Sequence, residues 1–154
     1  IRDTRKRGYS KEEILKQLNK RESDSLKYIS PQKNFADMVI SYFTEEEFET
    51  GNEQITPLVK LRLILQADIH LDPLVKKLFE LNVNVEWDYA EDLRTQYLIL
   101  HAPIEASCTQ EIAKAVIPNL EELLPNAVAW KEGYRGFVQM MVVYAMSELM
   151  KTQE

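Results

Sequence analysis

The sequence is poor in several residue types, and each scarcity excludes a class of protein. Its one cysteine, Cys108, can neither form an internal disulfide nor build a cysteine-based zinc site, so we expect a cytosolic compartment. Two histidines, His70 and His101, are too few for a histidine-rich cluster, and we predict no metal site. No apolar run reaches the roughly 18 residues of a transmembrane helix, and no apolar stretch follows the basic N-terminus as in a signal peptide. We therefore expect no membrane partner.

Charge is plentiful but unevenly distributed. Residues 1–35 carry ten basic and five acidic side chains, whereas the remainder carries nine basic and twenty acidic ones. A basic head on an acidic body predicts that the head meets an anion. Nucleic acid is disfavoured as that anion, because the head has few aromatic residues and the acidic body would repel a phosphate backbone. A small phosphorylated molecule fits the basic segment better.

The head shows local signals for a helix followed by a strand. Ser10 and Glu13 form a capping-box pattern, and apolar residues at helical spacing continue to about Arg21. Proline at position 31 breaks the helix, and residues 36–43 form a short apolar run that predicts a strand. The acidic stretch that follows lacks periodicity, so we predict a domain over residues 1–45, a linker over 46–56 and a second domain over 57–154.

The pattern of residues 57–154 predicts an α+β domain. The predicted elements, in chain order, are strand 58–65, helix 72–81, strand 83–88, strand 97–101, helix 104–124 broken or bent at Pro118, and helix 133–151. Neighbouring strands without a helix between them indicate an antiparallel sheet with helices on one face. The core face of the last helix is predicted to contain Phe137, Met141, Val142, Ala145, Met146 and Leu149.

One acidic and histidine-containing stretch resembles a metal site only superficially. Asp68, His70 and Asp72 would share a strand face if the preceding strand continued that far. Asp72 followed by proline is more typical of a helix start, so we favour a loop with Asp72 as the helix N-cap.

The first forty residues also carry an ordered set of short motifs. These are Arg2-Asp3, Arg7-Gly8-Tyr9-Ser10, Arg21, Pro31-Gln32-Lys33, and Ala36-Asp37 before the apolar strand. In order and spacing the set resembles the lid and last core strand of the phosphoribulokinase/uridine kinase family. The rest of the chain is similar, more weakly, to the C-terminal extension of longer phosphoribulokinases, at residues 59–64, 105–107 and 136–142.

The resemblance implies an α/β fold, specifically the C-terminal part of a P-loop kinase. A lid helix and the last core strand would be followed by a small mixed or antiparallel sheet domain with helices on one face. The intact parent would use ATP and magnesium to phosphorylate a hydroxyl of a small sugar phosphate. It would be a homodimer, located in the cytoplasm or, in a plant or alga, in the plastid stroma.

The resemblance also assigns roles to individual residues. Arg2 and Arg7 would be the lid arginines that bind the sugar phosphate and neutralise the transferred group, although a solvated basic run stays an alternative. Arg21 would reach a phosphate or support the end of its helix, where cations are favoured. Pro31, Gln32 and Lys33 would lie near the adenine, or form only a turn before the strand.

The chain departs from the family in one decisive respect. No Gly-x-x-x-x-Gly-Lys-Ser/Thr sequence occurs, and the chain has only four glycines, so the phosphate-binding loop is absent from these residues. The chain alone should therefore be inactive and bind no cofactor. Its first residue, Ile1, favours a segment of a longer protein. The alternative is a non-catalytic dimerisation or regulatory module derived from such a kinase.

Overall fold

The computed structural model describes residues 10–45, 58–126 and 128–151. Its contacts divide the chain into two compact units, Ile1–Asp37 and Met38–Glu154. The division falls before the strand that the sequence grouped with the first domain, because that strand pairs with a strand of the second unit. The two units are described separately below.

The first unit is a helical segment with three successive hydrogen-bonding patterns. Helix α1 spans Lys11–Asp24, a single π-helical turn follows over Ser25–Ile29, and a 3₁₀ turn covers Ser30–Phe35. Among residues 10 and 12–37, for which the structure describes burial, none is buried. Local hydrogen bonds, and not a core, therefore define the shape of this unit.

The second unit is a four-stranded sheet with a layer of helices. Its strands are β1 (Met38–Phe43), β2 (Lys60–Gln66), β3 (Val85–Tyr89) and β4 (Thr95–Leu100), arranged in the order β1-β2-β4-β3 with every pair antiparallel. Its helices are α2 (Asp72–Glu80), α3 (Ala106–Val116), α4 (Leu120–Leu123) and α5 (Tyr134–Lys151).

Alternation along the central strands places the core on one face of the sheet. Leu61, Leu63 and Leu65 of β2 are almost fully buried, while the two residues between them are half-buried. Lys60, which precedes them, is buried as well. Leu98 and Leu100 of β4 lie opposite them and are fully buried as well. Buried residues of α2, α3 and α5 belong to the same core cluster. The predicted antiparallel sheet with helices on one face is thereby confirmed.

Strand β1 forms one edge of the sheet, and its inner face is incompletely covered. Ile40 and Tyr42 pair with Leu63 and Leu61, so they point to the core side of the sheet. They are nevertheless 40% and 52% exposed, whereas their partners on β2 are fully buried. The helix layer thus covers β2 fully but β1 only in part, through the contact of the Tyr42 ring with Tyr134 of α5, at 6.0 Å between ring centres.

A buried glutamine joins the opposite half of the sheet to the loop after β2. The Gln96 side chain is 1% exposed, and its amide nitrogen donates to the carbonyl oxygens of Gln66, at 3.0 Å, and Ile69, at 2.6 Å. Its amide oxygen accepts the indole N–H of Trp87 at 2.9 Å. Three segments are therefore held together through one polar side chain within the core.

Two helix boundaries follow from proline. The predicted break at Pro118 is confirmed, since α3 ends at Val116 and Ile117 is extended, as expected of a residue that precedes proline. The expected N-cap of α2 is wrong by one residue. Leu71 occupies the cap position without a side-chain hydrogen bond, and Asp72 is the first helical residue, where its negative charge is favourable.

The predicted core face of α5 is partly wrong. Val142 and Met146 are 42% and 52% exposed, whereas Met140 and Tyr144 are fully buried. The buried stripe is therefore rotated from the predicted one. The helix is apolar on nearly all sides from Gly136 to Ala145, so its periodicity did not determine which side faces the core.

Candidate functional site

The candidate site begins with a capped helix start. The Ser10 hydroxyl accepts the Glu13 backbone N–H at 3.2 Å, and the Glu13 carboxylate accepts the Ser10 backbone N–H at 2.8 Å. The predicted capping box is confirmed. The pKa of the Glu13 carboxyl is lowered by the hydrogen bond from the Ser10 backbone N–H and, to a smaller extent, by one from the Ser10 hydroxyl. The first turn of α1 is thus fixed directly after the segment that contains the predicted lid arginines.

Helical backbone continues without interruption from α1 to residue 35. The Ser25 N–H donates to the carbonyl oxygens of both Arg21 and Glu22, and the Ser30 N–H donates to Ser25 in the π-helical turn. Arg21 lies in the last turn of α1 and is exposed. A cation is favoured at this end of a helix, so either predicted role of Arg21 fits its location.

The second group of predicted residues shares the 3₁₀ turn. Pro31 stands at its start, and the Gln32 amide nitrogen donates to the Tyr28 carbonyl oxygen at 2.8 Å. Pro31, Gln32 and Lys33 are all exposed. The Lys33 carbonyl accepts the N–H of Ala36, so the backbone of this turn is ordered while its side chains face solvent.

The structure places only part of the predicted site. Arg21 and the group at positions 31–33 belong to the same unit and are joined by continuous helical backbone. Arg2 and Arg7 lie outside the described residues, so their roles stay predictions. An interaction that the sequence did not suggest is the Lys27 ammonium, which lies 5.0 Å from the centre of the Tyr28 ring.

Comparison with known proteins bears on this same segment. Residues 1–49 match the model of the phosphoribulokinase/uridine kinase family. Over 87 residues the chain is 31% identical to a phosphoribulokinase from the cyanobacterium Synechocystis sp.. The chain is therefore similar to phosphoribulokinases over part of its length. The alignment covers 56% of this chain and 25% of the relative, so it spans about a quarter of the curated protein that it matches. No solved structure matches the chain.

The family match covers the first unit of the chain and the start of the second unit. It includes the capped helix, the two turns and strand β1, and it ends before β2. The sheet from β2 onward and all four helices of the second unit lie beyond the matched residues. The family match therefore supports the resemblance of the first unit and does not extend to most of the second.

A second set of charged residues lies on the open face of the sheet, and no functional role was predicted for it. The Lys60 ammonium is 2.6 Å from the Glu45 carboxylate, and His101 Nε2 is 3.0 Å from the Glu86 carboxylate. Lys60 lowers the pKa of Glu45 by hydrogen bonding and by its charge. These groups engage one another, so they do not form an open anion site. Alternation of charged and leucine residues along β2 was the available signal.

Two classes of site find no support within the residues that the structure describes. Among positions 10–45, 58–126 and 128–151, no three His, Cys, Asp or Glu side chains are arranged to hold a metal ion. Within the same ranges, no helix combines the length and apolar character that crossing a bilayer requires. Neither finding bears on the metal that a nucleotide would bring.

Proposed function

We propose that this chain is the C-terminal portion of an ATP-dependent kinase that phosphorylates a hydroxyl of a small sugar phosphate. The observation that carries the proposal is the family match over residues 1–49, which contains the ordered lid motifs. The exposed side chains of Arg21, Gln32 and Lys33 support it, because a lid must present such groups to a ligand.

The lid supplies positive charge where phosphoryl transfer needs it. Charge builds on the transferred group in the transition state, and basic side chains that approach it on closure lower the barrier. Arg2 and Arg7 take this role, since they are five residues apart and precede the capped start of α1. Magnesium-bound ATP supplies the phosphoryl group, and the sugar phosphate is the acceptor.

The 3₁₀ turn contributes to nucleotide binding. Its ordered backbone holds Pro31, Gln32 and Lys33 in one turn, and their exposed side chains are available to an adenine ring and to phosphate. Arg21, one π-helical turn earlier, adds a cation at the helix end.

Strand β1 supports the view that the sheet continues in an intact kinase. It is an edge strand of the described sheet, and Ile40 and Tyr42 are far more exposed than their neighbours on β2, although the Tyr42 ring contacts Tyr134 of α5. A further strand on this edge and a further helix over these side chains would complete both layers. The phosphate-binding loop would belong to that part, so the 154-residue chain alone should not transfer phosphate.

The test begins with the native protein. Its intact mass, or the reading frame upstream of Ile1, establishes whether a phosphate-binding loop accompanies this chain. In that protein, we expect Arg2→Ala and Arg7→Ala each to reduce kcat/KM for the sugar phosphate by about 100-fold or more, the scale seen when one charge-stabilising group is removed. Arg5→Ala is the matched control, because it removes the same charge from the same segment at a position outside the motifs that carry the resemblance.

Two results would contradict this proposal. One is a native protein that begins at Ile1. The other is a set of kinetic constants in which Arg5→Ala is as harmful as Arg2→Ala and Arg7→Ala.

A second candidate function is a dimerisation module, and one observation favours it. Val142, Met146 and Met150 follow one another at intervals of four residues on α5, and each is 42–52% exposed. No charged residue lies between Arg135 and Glu148 to discourage self-association along this stripe. We expect sedimentation velocity to show a dimer that Met146→Glu converts to a monomer, whereas Lys76→Glu, on the exposed side of α2, leaves it intact. A monomer in all three proteins would rule the module out.

A further inference from the structure

A cleft in the helix layer of the second unit is unrelated to the residues that match the kinase family. It has a volume of about 470 Å³ and lies between the C-terminal half of α3, the short helix α4 and the segment before α5. This volume falls within the range of about 300–1,000 Å³ that small-molecule sites occupy. All its lining residues lie beyond position 49, so the cleft does not depend on the proposed lid.

The floor of the cleft is apolar and contains one large aromatic ring. Leu120, Leu124 and Val128 are half-buried, and Trp130 is only 8% exposed. Pro125 completes this part of the lining. Such a floor suits a flat ring or a short hydrocarbon body, because it offers an aromatic face and aliphatic carbon.

The rim of the cleft is polar, and its side chains form no hydrogen bond or ion pair with one another. Gln110 and Lys114 are one helical turn apart on α3 and therefore share a face, while Glu121 and Asn126 stand on the other side. Within the described part of the chain, none of these four side chains makes a hydrogen bond or ion pair. Lys77 of α2 differs, since its ammonium lies 2.8 Å from Glu111. The charge of Lys114 is thus available to a ligand.

We propose that this cleft binds a small organic monoanion with an aromatic or otherwise apolar body. The ring would lie on the Trp130 floor, and the anionic group would meet the Lys114 ammonium, with the Gln110 amide as an additional hydrogen-bond donor. Glu121 on the opposite rim disfavours a second negative charge and accepts a hydrogen bond from a hydroxyl or amino group of the ligand. Multiply charged ligands such as nucleoside triphosphates are selected against.

The chain provides its own spectroscopic reporter and internal control. It has two tryptophans, so a ¹H–¹⁵N spectrum shows two indole N–H signals. Trp130 lines the cleft, whereas the Trp87 indole is hydrogen-bonded to Gln96 and does not line it. Sodium salicylate serves as the probe, because it joins one carboxylate, one ring and one hydroxyl, and uncharged salicylamide serves as its matched control.

We expect salicylate to shift the Trp130 signal saturably while the Trp87 signal stays in place. Salicylamide should bind about tenfold more weakly or worse, because it lacks the negative charge that would pair with the Lys114 ammonium. Lys114→Glu should weaken salicylate binding by at least the same factor. Lys76→Glu, which makes the same charge change on an exposed face of α2, should not.

Gln110→Glu gives a second, nearly isosteric test, since it adds a negative charge beside Lys114 without removing the lysine. It should weaken salicylate more than salicylamide. The proposal is overturned if the Trp130 signal shows no saturable shift, if both indole signals move together, or if Lys114→Glu and Lys76→Glu have equal effects.

Discussion

The two units of this chain are ordered by different means. Residues 10 and 12–37 include no buried side chain, and α1 is held by its capping box and its own backbone. Residues 58–126 and 128–151 share a core in which Phe137, Leu98 and many other side chains are fully buried. A segment without a core opens locally at little free-energy cost, whereas a segment with a core does not.

Removal of a core side chain from the second unit should have the largest effect on the free energy of unfolding. Phe137→Ala is expected to lower the free energy of unfolding by about 3–5 kcal/mol, because it leaves a cavity beneath α5. Phe35→Ala is the matched control, since that ring is 89% exposed, and its effect should stay within about 0.5 kcal/mol. Urea denaturation followed by tryptophan fluorescence measures both. Equal effects of the two substitutions would mean that the first unit, like the second, depends on a core for its stability.

Crowding at the start of α5 should give the next largest effect. A Cβ atom added to Gly136 would lie 1.8 Å from the Lys131 carbonyl oxygen, which is backbone and cannot rotate away. Gly136→Ala is therefore expected to destabilise the sheet unit by about 1–3 kcal/mol.

The control for this crowding is the other glycine of the same turn. At Gly133 an added Cβ meets only a side-chain carbon at 3.4 Å, but φ is +72°. Gly133→Ala should cost about 1 kcal/mol through backbone strain alone. Thermal unfolding ranks the two variants, and a Gly136→Ala protein as stable as the unmodified chain would show that the Lys131 loop is not fixed against the helix.

The smallest effect concerns the first unit and depends on pH. The lowered pKa of Glu13 means that its carboxylate stabilises α1 above the ordinary carboxyl pKa. This contribution is lost as the pH falls through the lowered value. We expect the hydrogen-exchange protection of the first α1 amides, relative to the intrinsic exchange rate at each pH, to fall on acidification, whereas Glu13→Gln removes most of that dependence. Protection that falls equally in both proteins would exclude the capping box as the cause.

The sequence predicted those elements whose chemistry is local. The capping box of α1 and the break before Pro118 depend on neighbouring residues alone. The strand at β2 follows from the partial alternation of leucine with Lys60, Arg62 and Gln66. Each of these was therefore readable without knowledge of the rest of the fold.

Features that depend on tertiary partners were not predictable in the same way. The exposed side of α5 was assigned wrongly at Val142 and Met146, because an almost wholly apolar helix leaves the choice of face to its neighbours. The pairing of β1 with β2 brings together residues that are separated by an acidic stretch without periodicity. Of the candidate site, the sequence supplied the residues and their order, and the roles of Arg2 and Arg7, which lie outside the described residues, stay predictions.

The junction at Gln96 has a consequence for how relatives of this chain should vary. A glutamate there would place a negative charge against the carbonyls of Gln66 and Ile69, and a leucine would remove the hydrogen bonds that Gln96 makes to the Ile69 carbonyl and to the Trp87 indole. Neither residue is an acceptable replacement while Trp87 remains. We therefore expect positions 87 and 96 to change together in evolution, as a covarying pair that marks relatives with this edge of the sheet.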